Sequence, residues 1–132
     1  MTLSISHYMT STPCTIDRDD SIANAHAIMR GQHIRHLPVV HDGQLVGIVT
    51  QGDLHLLETL GDIDLDTTPV SEAMRENPFI VTGDTALDDV VEIMADKKYG
   101  SAIVVGRAGV EGIFTAVDAC RVLAQTLRRE VA

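Results

Sequence analysis

The sequence predicts an α+β fold in which one β-α-β-β-α unit occurs twice. Shifting the numbering by 65 residues superposes the second half of the chain on the first without a gap. The superposed positions include Met9 with Met74, Pro13 with Pro78, and residues 47–53 with 112–118. The chain is 45% hydrophobic but only 3% aromatic, so its core must be built from aliphatic side chains. Because units of about 60 residues are marginal alone, we expect two pseudo-twofold copies that share a core.

Each copy begins with an extended segment, predicted at 14–17 and 79–82, and continues into a helix. The helix of the second copy has one apolar stripe at helical spacing, formed by Leu87, Val90, Val91 and Met94. The corresponding stripe in the first copy is weaker and consists of Ile22, Ala25, His26 and Met29. Gly31 is expected to end this first helix.

Two strands then form a hairpin in each copy. Gly47 and Gly112 interrupt the strand patterns, which indicates a bulge or the close approach of another backbone or a ligand. Pro38 cannot donate a ladder hydrogen bond and is expected at a sheet edge or a strand start. The predicted hairpins are 37–41 with 45–50 around Asp42-Gly43, and 102–106 with 110–115 around Ala108-Gly109.

A second helix closes each copy, from about residue 52 to 60 and from about 117 to 128. Residues 63–69 are acidic and end in proline, which is typical of a surface linker. The predicted organisation is therefore a first motif over 1–62, a linker over 63–69 and a second motif over 70–132. The closing helices have more apolar surface than so small a core can cover, which predicts a homodimer.

Charge and cysteine content exclude several classes of protein. The net charge is −9 and Lys97 and Lys98 are the only lysines, whereas nucleic-acid binding requires a concentrated basic face. Cys14 and Cys120 do not form a disulfide scaffold, which fits a reducing compartment. The sequence contains neither an apolar run of the ~20 residues needed to span a membrane nor an N-terminal signal. We therefore expect a cytoplasmic protein that binds neither nucleic acid nor membrane.

The repeated motifs resemble those of the cystathionine β-synthase (CBS) domain. The first copy carries Met9-Thr10, residues 36–40, and residues 47–50 with Asp53; the second carries Met74, residues 101–105, and residues 112–115 with Asp118. Two such domains in tandem resemble the CBS pair, or Bateman module. Residues 34–38 and 99–101 are also similar to bacterial stand-alone CBS pairs of the acetoin-utilisation type.

This resemblance implies a regulatory ligand-sensing module with no required cofactor. It implies that clefts between the two motifs bind an adenosine compound, such as AMP, ADP, ATP or S-adenosylmethionine. It also implies homodimers that report ligand occupancy to a separate protein effector. The dimer is expected to transmit this signal, because no effector domain is present in the sequence.

The residues Thr50-x-x-Asp53 and Thr115-x-x-Asp118 place a hydroxyl and a carboxylate where a strand meets a helix. Backbone N–H groups of a helix N-terminus favour a phosphate, and an aspartate can accept both hydroxyls of a ribose. Adenine is expected against Ile16, Leu37 and Ile48. The complete set of candidate ligand-binding residues is Thr15, Ile16, Arg35, His36, Leu37, Pro38, Ile48, Thr50, Asp53, Ile80, Val81, Gly100, Ser101, Ala102, Ile113, Thr115 and Asp118.

A second interpretation of the same motif stays open, because Thr-x-x-Asp is also a capping box that needs no ligand. On that interpretation the protein is a constitutive dimerisation or scaffold module. The two sites are also expected to differ. The first has Arg35 and His36 where the second has Gly100 and Ser101, so the first should hold the more anionic ligand, with His36 gaining charge as the pH falls.

All six histidines lie in the first copy, which raises the question of a metal site. The most suggestive pair, His33-x-x-His36, straddles the predicted helix-to-strand turn and has no third ligand at metal spacing. The sequence also shows no arrangement of nucleophile, base and orienting group. We therefore expect neither a metal site nor an enzyme.

Overall fold

The chain forms two compact units, each of mixed helix and sheet, as a computed structural model describes them over residues 3–131. This confirms the α+β class. None of the helices in that range is both long enough and apolar enough to cross a membrane. The elements are β1 (Thr10–Ser11), β2 (Ile16–Asp17), α1 (Ile22–Gln32), β3 (His36–His41), β4 (Gln44–Thr50), α2 (Gln51–Leu60), β5 (Ile80–Thr82), α3 (Leu87–Lys97), β6 (Ser101–Gly106), β7 (Gly109–Thr115) and α4 (Ala116–Val131).

The boundaries of the units differ from those of the sequence repeats. The first-repeat unit comprises Cys14–Pro78, and the second-repeat unit combines the N-terminal segment up to Pro13 with the chain from Phe79 onward. The leading segment of each repeat, 5–13 or 70–78, thus belongs to the unit built on the sheet of the other repeat. We call these two stretches the leading segments.

The first-repeat unit has a three-stranded sheet in the order β2-β3-β4, with β2 parallel and β4 antiparallel to β3. Alternate side chains of the sheet pack with α1 and α2, because successive residues of a strand point to opposite faces. The resulting core is aliphatic, as the composition predicts. It consists of Ile16, Ile22, Ala25, Met29, Leu37, Val39, Val49, Leu54 and Val70.

Helix α1 ends later than predicted. Its first turn is capped by Ser21, whose hydroxyl accepts the Asn24 N–H at 3.0 Å. Gly31 lies within the helix, so the expectation that it ends the helix is wrong. His33 ends it instead, because this residue adopts the left-handed conformation (φ 55°) and its N–H bonds to the Met29 carbonyl.

Pro38 lies in the central strand of its sheet, which corrects the expectation of an edge or strand-start position. The sheet accommodates it by shortening the neighbouring strand. In the second repeat the Ile103 N–H bonds to the Phe79 carbonyl at 2.8 Å, and the equivalent bond from Pro38 cannot form. Consequently β2 has two residues, whereas its counterpart β5 has three.

The second-repeat unit has a four-stranded sheet in the order β1-β7-β6-β5. The turn between β6 and β7 lies at Arg107 and Ala108, one residue earlier than predicted, because Gly106 pairs with Gly109. Helices α3 and α4 supply the other layer of the core. Its buried members are Ile5, Leu87, Val90, Met94, Ala102, Val104 and Phe114.

Gly47 allows the backbone of a leading segment to pack closely against the sheet, as one of the sequence interpretations predicts. Arg75 exchanges two backbone hydrogen bonds with Ile48, at 2.8 and 3.0 Å. A Cβ on Gly47 would lie 2.7 Å from the Arg75 carbonyl oxygen and 2.9 Å from Met74 Sδ. Gly112 has the same role, because a Cβ there would overlap Met9 while β1 pairs with β7. The repeated methionine and glycine are therefore contact partners.

The predicted linker is bound to the start of α1. The Ile22 N–H donates to the Thr68 carbonyl at 3.0 Å, and the Ala23 N–H donates to the Leu65 carbonyl at 2.9 Å. Thr68 itself is buried. The segment supplies acceptors to N–H groups that have no partner within the helix.

Replacing Gly47 with alanine is expected to lower the free energy of unfolding by about 1 to 3 kcal/mol, because the added methyl group would overlap backbone atoms of Arg75. Gly31→Ala is the matched control. A Cβ at Gly31 meets nothing within 4 Å, and alanine in a helix is favoured over glycine by roughly 0.5 to 1 kcal/mol. Urea denaturation of both variants tests the prediction, and an unchanged midpoint for Gly47→Ala would contradict it.

Candidate functional site

The junction between β4 and α2 is a complete capping box. The Asp53 N–H donates to Thr50 Oγ1 at 3.1 Å, and the Thr50 N–H donates to Asp53 Oδ2 at 3.0 Å. Two N–H groups at the start of α2 are satisfied by these bonds. Thr50 and Asp53 thus have the capping role that one of the two sequence interpretations predicts.

The second oxygen of the Asp53 carboxylate accepts a hydrogen bond from Arg75. Its Nε donates to Asp53 Oδ1 at 3.1 Å. The Asp53 side chain is only 8% exposed, whereas that of Arg75 is 74% exposed. A ligand hydroxyl that binds Asp53 would therefore compete with a solvent-exposed guanidinium rather than a buried one. Arg75 is not recognisable from the sequence as a partner of Asp53, because it lies 22 residues away and reaches Asp53 through the contact at Gly47.

The junction between β7 and α4 repeats this arrangement with a different cation. The Thr115 N–H donates to Asp118 Oδ2 at 2.8 Å, and the Asp118 N–H donates to Thr115 Oγ1 at 3.4 Å. Arg121 Nη1 donates to Asp118 Oδ1 at 3.3 Å from the next turn of α4. Its spacing of three residues from Asp118 could have identified Arg121 from the sequence.

The sheet brings several predicted residues of the first repeat onto one face. His36 pairs with Thr50 and Pro38 pairs with Ile48. Paired residues share a face, and this one is opposite the face that packs on the helices. In the second repeat the equivalent face carries four predicted residues, namely Ile80, Ser101, Ile113 and Thr115.

Other predicted residues lie on the helix-packed face instead. Leu37 is fully buried in the core, and Ile16 belongs to the same cluster. Ile48 lies on the opposite face from the other two, so the structure does not bring the three residues predicted to contact adenine onto one surface of the sheet. Ala102 and Val81 similarly pack with the core of the second-repeat unit.

The remaining predicted residues flank these faces. Thr15 precedes β2 and is exposed, and Gly100 precedes β6 and is exposed. Arg35 precedes β3, where its carbonyl accepts the Gln51 N–H at 3.0 Å and its side chain is exposed. An exposed cation thus stands beside the first junction, as the sequence predicts.

His36 does not behave as expected. Its burial lowers its pKa below the ordinary value, the nearby Asp53 carboxylate opposes that effect, and Arg35 adds to it. The imidazole consequently stays neutral at pH values where an ordinary histidine gains a proton. Positive charge near the first junction comes from Arg35 and Arg75 rather than from His36.

A sequence profile of the CBS domain matches residues 5–56 and again residues 70–125. The chain belongs to the CBS domain family. The CBS domain-containing protein YhcV of Bacillus subtilis is 28% identical over 115 residues, which is 87% of this chain and 81% of YhcV. The two profile matches coincide with the two halves of the internal repeat, so the resemblance predicted from the sequence motifs is confirmed.

Solved structures of CBS proteins match nearly the whole chain. A Vibrio cholerae protein assigned to acetoin utilization (AcuB) has a TM-score of 0.87 at 27% identity, over 100% of this chain and 98% of AcuB. The CBS domain pair of protein MJ0100, crystallised with 5′-methylthioadenosine and S-adenosyl-L-methionine, has a TM-score of 0.84 at 26% identity, over 96% of this chain and 99% of that one. The similarity to the acetoin-utilisation type is thereby confirmed at the level of the fold.

The His36 pKa provides a test of the electrostatics around the first junction. NMR titration of the ring should give a pKa below 6.5 in the folded protein. Arg35→Gln should raise that pKa and Asp53→Asn should lower it further, because the two charges act in opposite directions. Equal and unshifted pKa values in all three proteins would contradict this description.

The same shift has a consequence for stability. The unfolded chain binds the proton at an ordinary histidine pKa of about 6.5, above the folded value. The His36 contribution to the free energy of unfolding is therefore complete above that pH and is lost as the pH falls toward the folded pKa. His36→Gln should reduce this loss when urea midpoints are compared between neutral and mildly acidic pH.

Proposed function

We propose that this CBS protein is a regulatory sensor of an adenosine compound and not an enzyme. The observation that carries the proposal is the repeated junction of hydroxyl, aspartate and helix N-terminus, set beside one face of each sheet. These groups match the ribose hydroxyls and phosphate of a nucleotide. The MJ0100 pair, which was crystallised with two adenosine compounds, supports the same ligand class.

The two junctions are proposed to prefer different charges on the ligand. Arg35 and Arg75 lie near the first junction, and both side chains are exposed. At the second junction Gly100 replaces Arg35 and Thr10 replaces Arg75, which leaves Arg121 as the cation bound to Asp118. The first junction therefore suits AMP, ADP or ATP, whereas the second suits a less anionic compound such as S-adenosylmethionine.

Ligand binding at the first junction would be transmitted through the leading segment that pairs with β4. A ribose hydroxyl on Asp53 would release Arg75, and Arg75 belongs to the leading segment that pairs with β4. Occupancy can change the protein only through a difference in affinity between two states, and this ion pair offers one such difference. We propose that a homodimer passes the change to a separate protein effector in the cytoplasm, with no role for nucleic acid or membrane.

A constitutive scaffold is the second candidate, and one observation favours it. Both capping boxes are formed entirely by groups of the protein, so Thr50, Asp53, Thr115 and Asp118 have a structural role. A scaffold would need only these caps and the dimer. The two candidates differ in whether an adenosine compound stabilises the protein.

A thermal-shift series separates them. With AMP, ADP, ATP, 5′-methylthioadenosine or S-adenosylmethionine at 100 times the dissociation constant, the sensor gains ~2.7 kcal/mol, or roughly 10 °C in Tm. Asp53→Asn should abolish the shift at the first junction, since the amide keeps one acceptor for the Thr50 N–H but loses the charged pair of oxygens. Asp118→Asn should do the same at the second junction.

Asp96→Asn is the matched control, because it removes one exposed carboxylate of α3 that lies outside both junctions. It should keep the full ligand response. The scaffold candidate instead predicts no response in any protein, with each junction variant losing only about 1 kcal/mol of stability at most. The absence of a ligand response in every protein would rule out the sensor, provided that the protein is free of co-purified nucleotide.

The proposed dimer rests on apolar side chains of the closing helices. Leu60 of α2 and Leu127 of α4 are 74% and 52% exposed. Light scattering should give the mass of a dimer for the natural protein and of a monomer for Leu60→Glu combined with Leu127→Glu. Ile93→Glu on α3 is the control for an exposed apolar residue elsewhere and should stay dimeric. A monomeric natural protein would refute the dimer.

A further inference from the structure

We propose that the groove between α1 and α2 contains a binding site for a zinc-class divalent metal, formed by His26, His55 and Glu58. The donor atoms of these three side chains all lie within 4.8 Å of one another. His26 comes from α1, whereas His55 and Glu58 come from α2. His26 and His55 line a cavity that extends to Arg35 and Gln51 beside the first junction, but none of the three donor side chains belongs to the Thr50–Asp53 capping box.

The distances between the donor atoms suit a small tetrahedral ion. His26 Nε2 lies 3.2 Å from each carboxylate oxygen of Glu58. Metal bonds of about 2.0 to 2.2 Å in a tetrahedron place neighbouring donor atoms about 3.4 Å apart. The His26 and Glu58 atoms are thus already at a ligand-to-ligand separation.

His55 becomes the third metal ligand if its side chain rotates slightly toward His26 and Glu58. Its ring is stacked near that of His26, with centroids 5.6 Å apart. The spacing of three residues places His55 and Glu58 on one side of α2. Since His55 is exposed, its ring can turn toward the other two donors without disturbing the core.

The second repeat supplies an internal comparison. The positions equivalent to His26, His55 and Glu58 are Val91, Cys120 and Leu123. There the groove between α3 and α4 is mostly apolar, and Val91 and Leu123 line it. The fold therefore does not require polar donors at these positions, and their presence together in one repeat needs a separate explanation. An ion pair between His26 and Glu58 alone would leave His55 unexplained.

The two imidazoles and one carboxylate of this site favour one class of metal ion. Imidazole nitrogen suits zinc and its transition-metal neighbours, whereas magnesium and calcium prefer oxygen ligands. Three protein ligands leave a fourth position for water or for a group from another molecule. The sequence alone predicts no metal site, because the spacing of His33 and His36 offers no third ligand and the pairing of α1 with α2 is a tertiary feature.

Calorimetric titration of untagged, chelator-treated protein with zinc chloride tests the site. One equivalent should bind, and His26→Val or Glu58→Leu should weaken binding by about 100-fold or more. These substitutions introduce the residues that the second repeat carries, so both variants should fold. Cobalt in place of zinc should give the visible absorption of a tetrahedral ion in the natural protein and lose it in the variants.

The control is His41→Gln, because Asp17, Asp19 and His41 form the other donor group among the described residues. It should leave zinc affinity within about twofold. Histidine NMR of the natural protein adds a readout that needs no variant: zinc should shift the ring signals of His26 and His55 and leave that of His41 in place. The proposal is overturned if no equivalent of zinc binds, if His41→Gln abolishes binding, or if the His41 signal shifts instead.

Discussion

The close contact between Arg75 and Gly47 is the constraint on which the candidate site of the first repeat depends. Because Gly47 has no side chain, the leading segment can exchange backbone hydrogen bonds with Ile48. That pairing brings the Arg75 side chain to Asp53, whose other oxygen caps α2 at Thr50. The absence of a side chain at Gly47 therefore lets the leading segment pair with β4. That pairing places Arg75 beside the buried Asp53 carboxylate at the start of α2.

The second repeat has the same contact between a glycine and a leading segment, but within the described chain its junction aspartate is not bound by a residue of that segment. Gly112 accommodates Met9 as Gly47 accommodates Met74, so the packing is the same. However, Thr10 occupies the position of Arg75, and Asp118 obtains its cation from Arg121 on its own helix. The carboxylate of the first junction is therefore linked to a leading segment, whereas that of the second is linked only to α4. Under the proposed function, this difference makes the first junction the better placed of the two to convert ligand binding into a change at the sheet edge.

The repeats have also diverged in the grooves between their helices. Val91 and Leu123 make the groove of the second-repeat unit apolar, while His26 and Glu58 make that of the first polar. Both grooves adjoin the cores of their units, since Leu87 lines the groove of the second-repeat unit and Met29 lines that of the first. The two repeats share the Thr-x-x-Asp caps and the glycine contacts, whereas the outer surfaces of their helices carry different side chains.

The sequence by itself determined the repeat, the order of elements, the hairpins and the Thr-x-x-Asp junctions, because these depend on local periodicity and on residues a few positions apart. It also marked Gly47 and Gly112 as positions of a bulge or of close approach, and the structure shows a register shift and a close contact at both. Only the tertiary structure decided which segment approaches, since Arg75 and Asp53 are far apart along the chain. The tertiary structure also decided that Leu37 and Ile48 lie on opposite faces of the sheet. The face on which a strand residue lies depends on the register and on which side the helices cover. The burial that lowers the His36 pKa and the meeting of His26 with Glu58 arise in the same way, from packing between elements that no local pattern encodes.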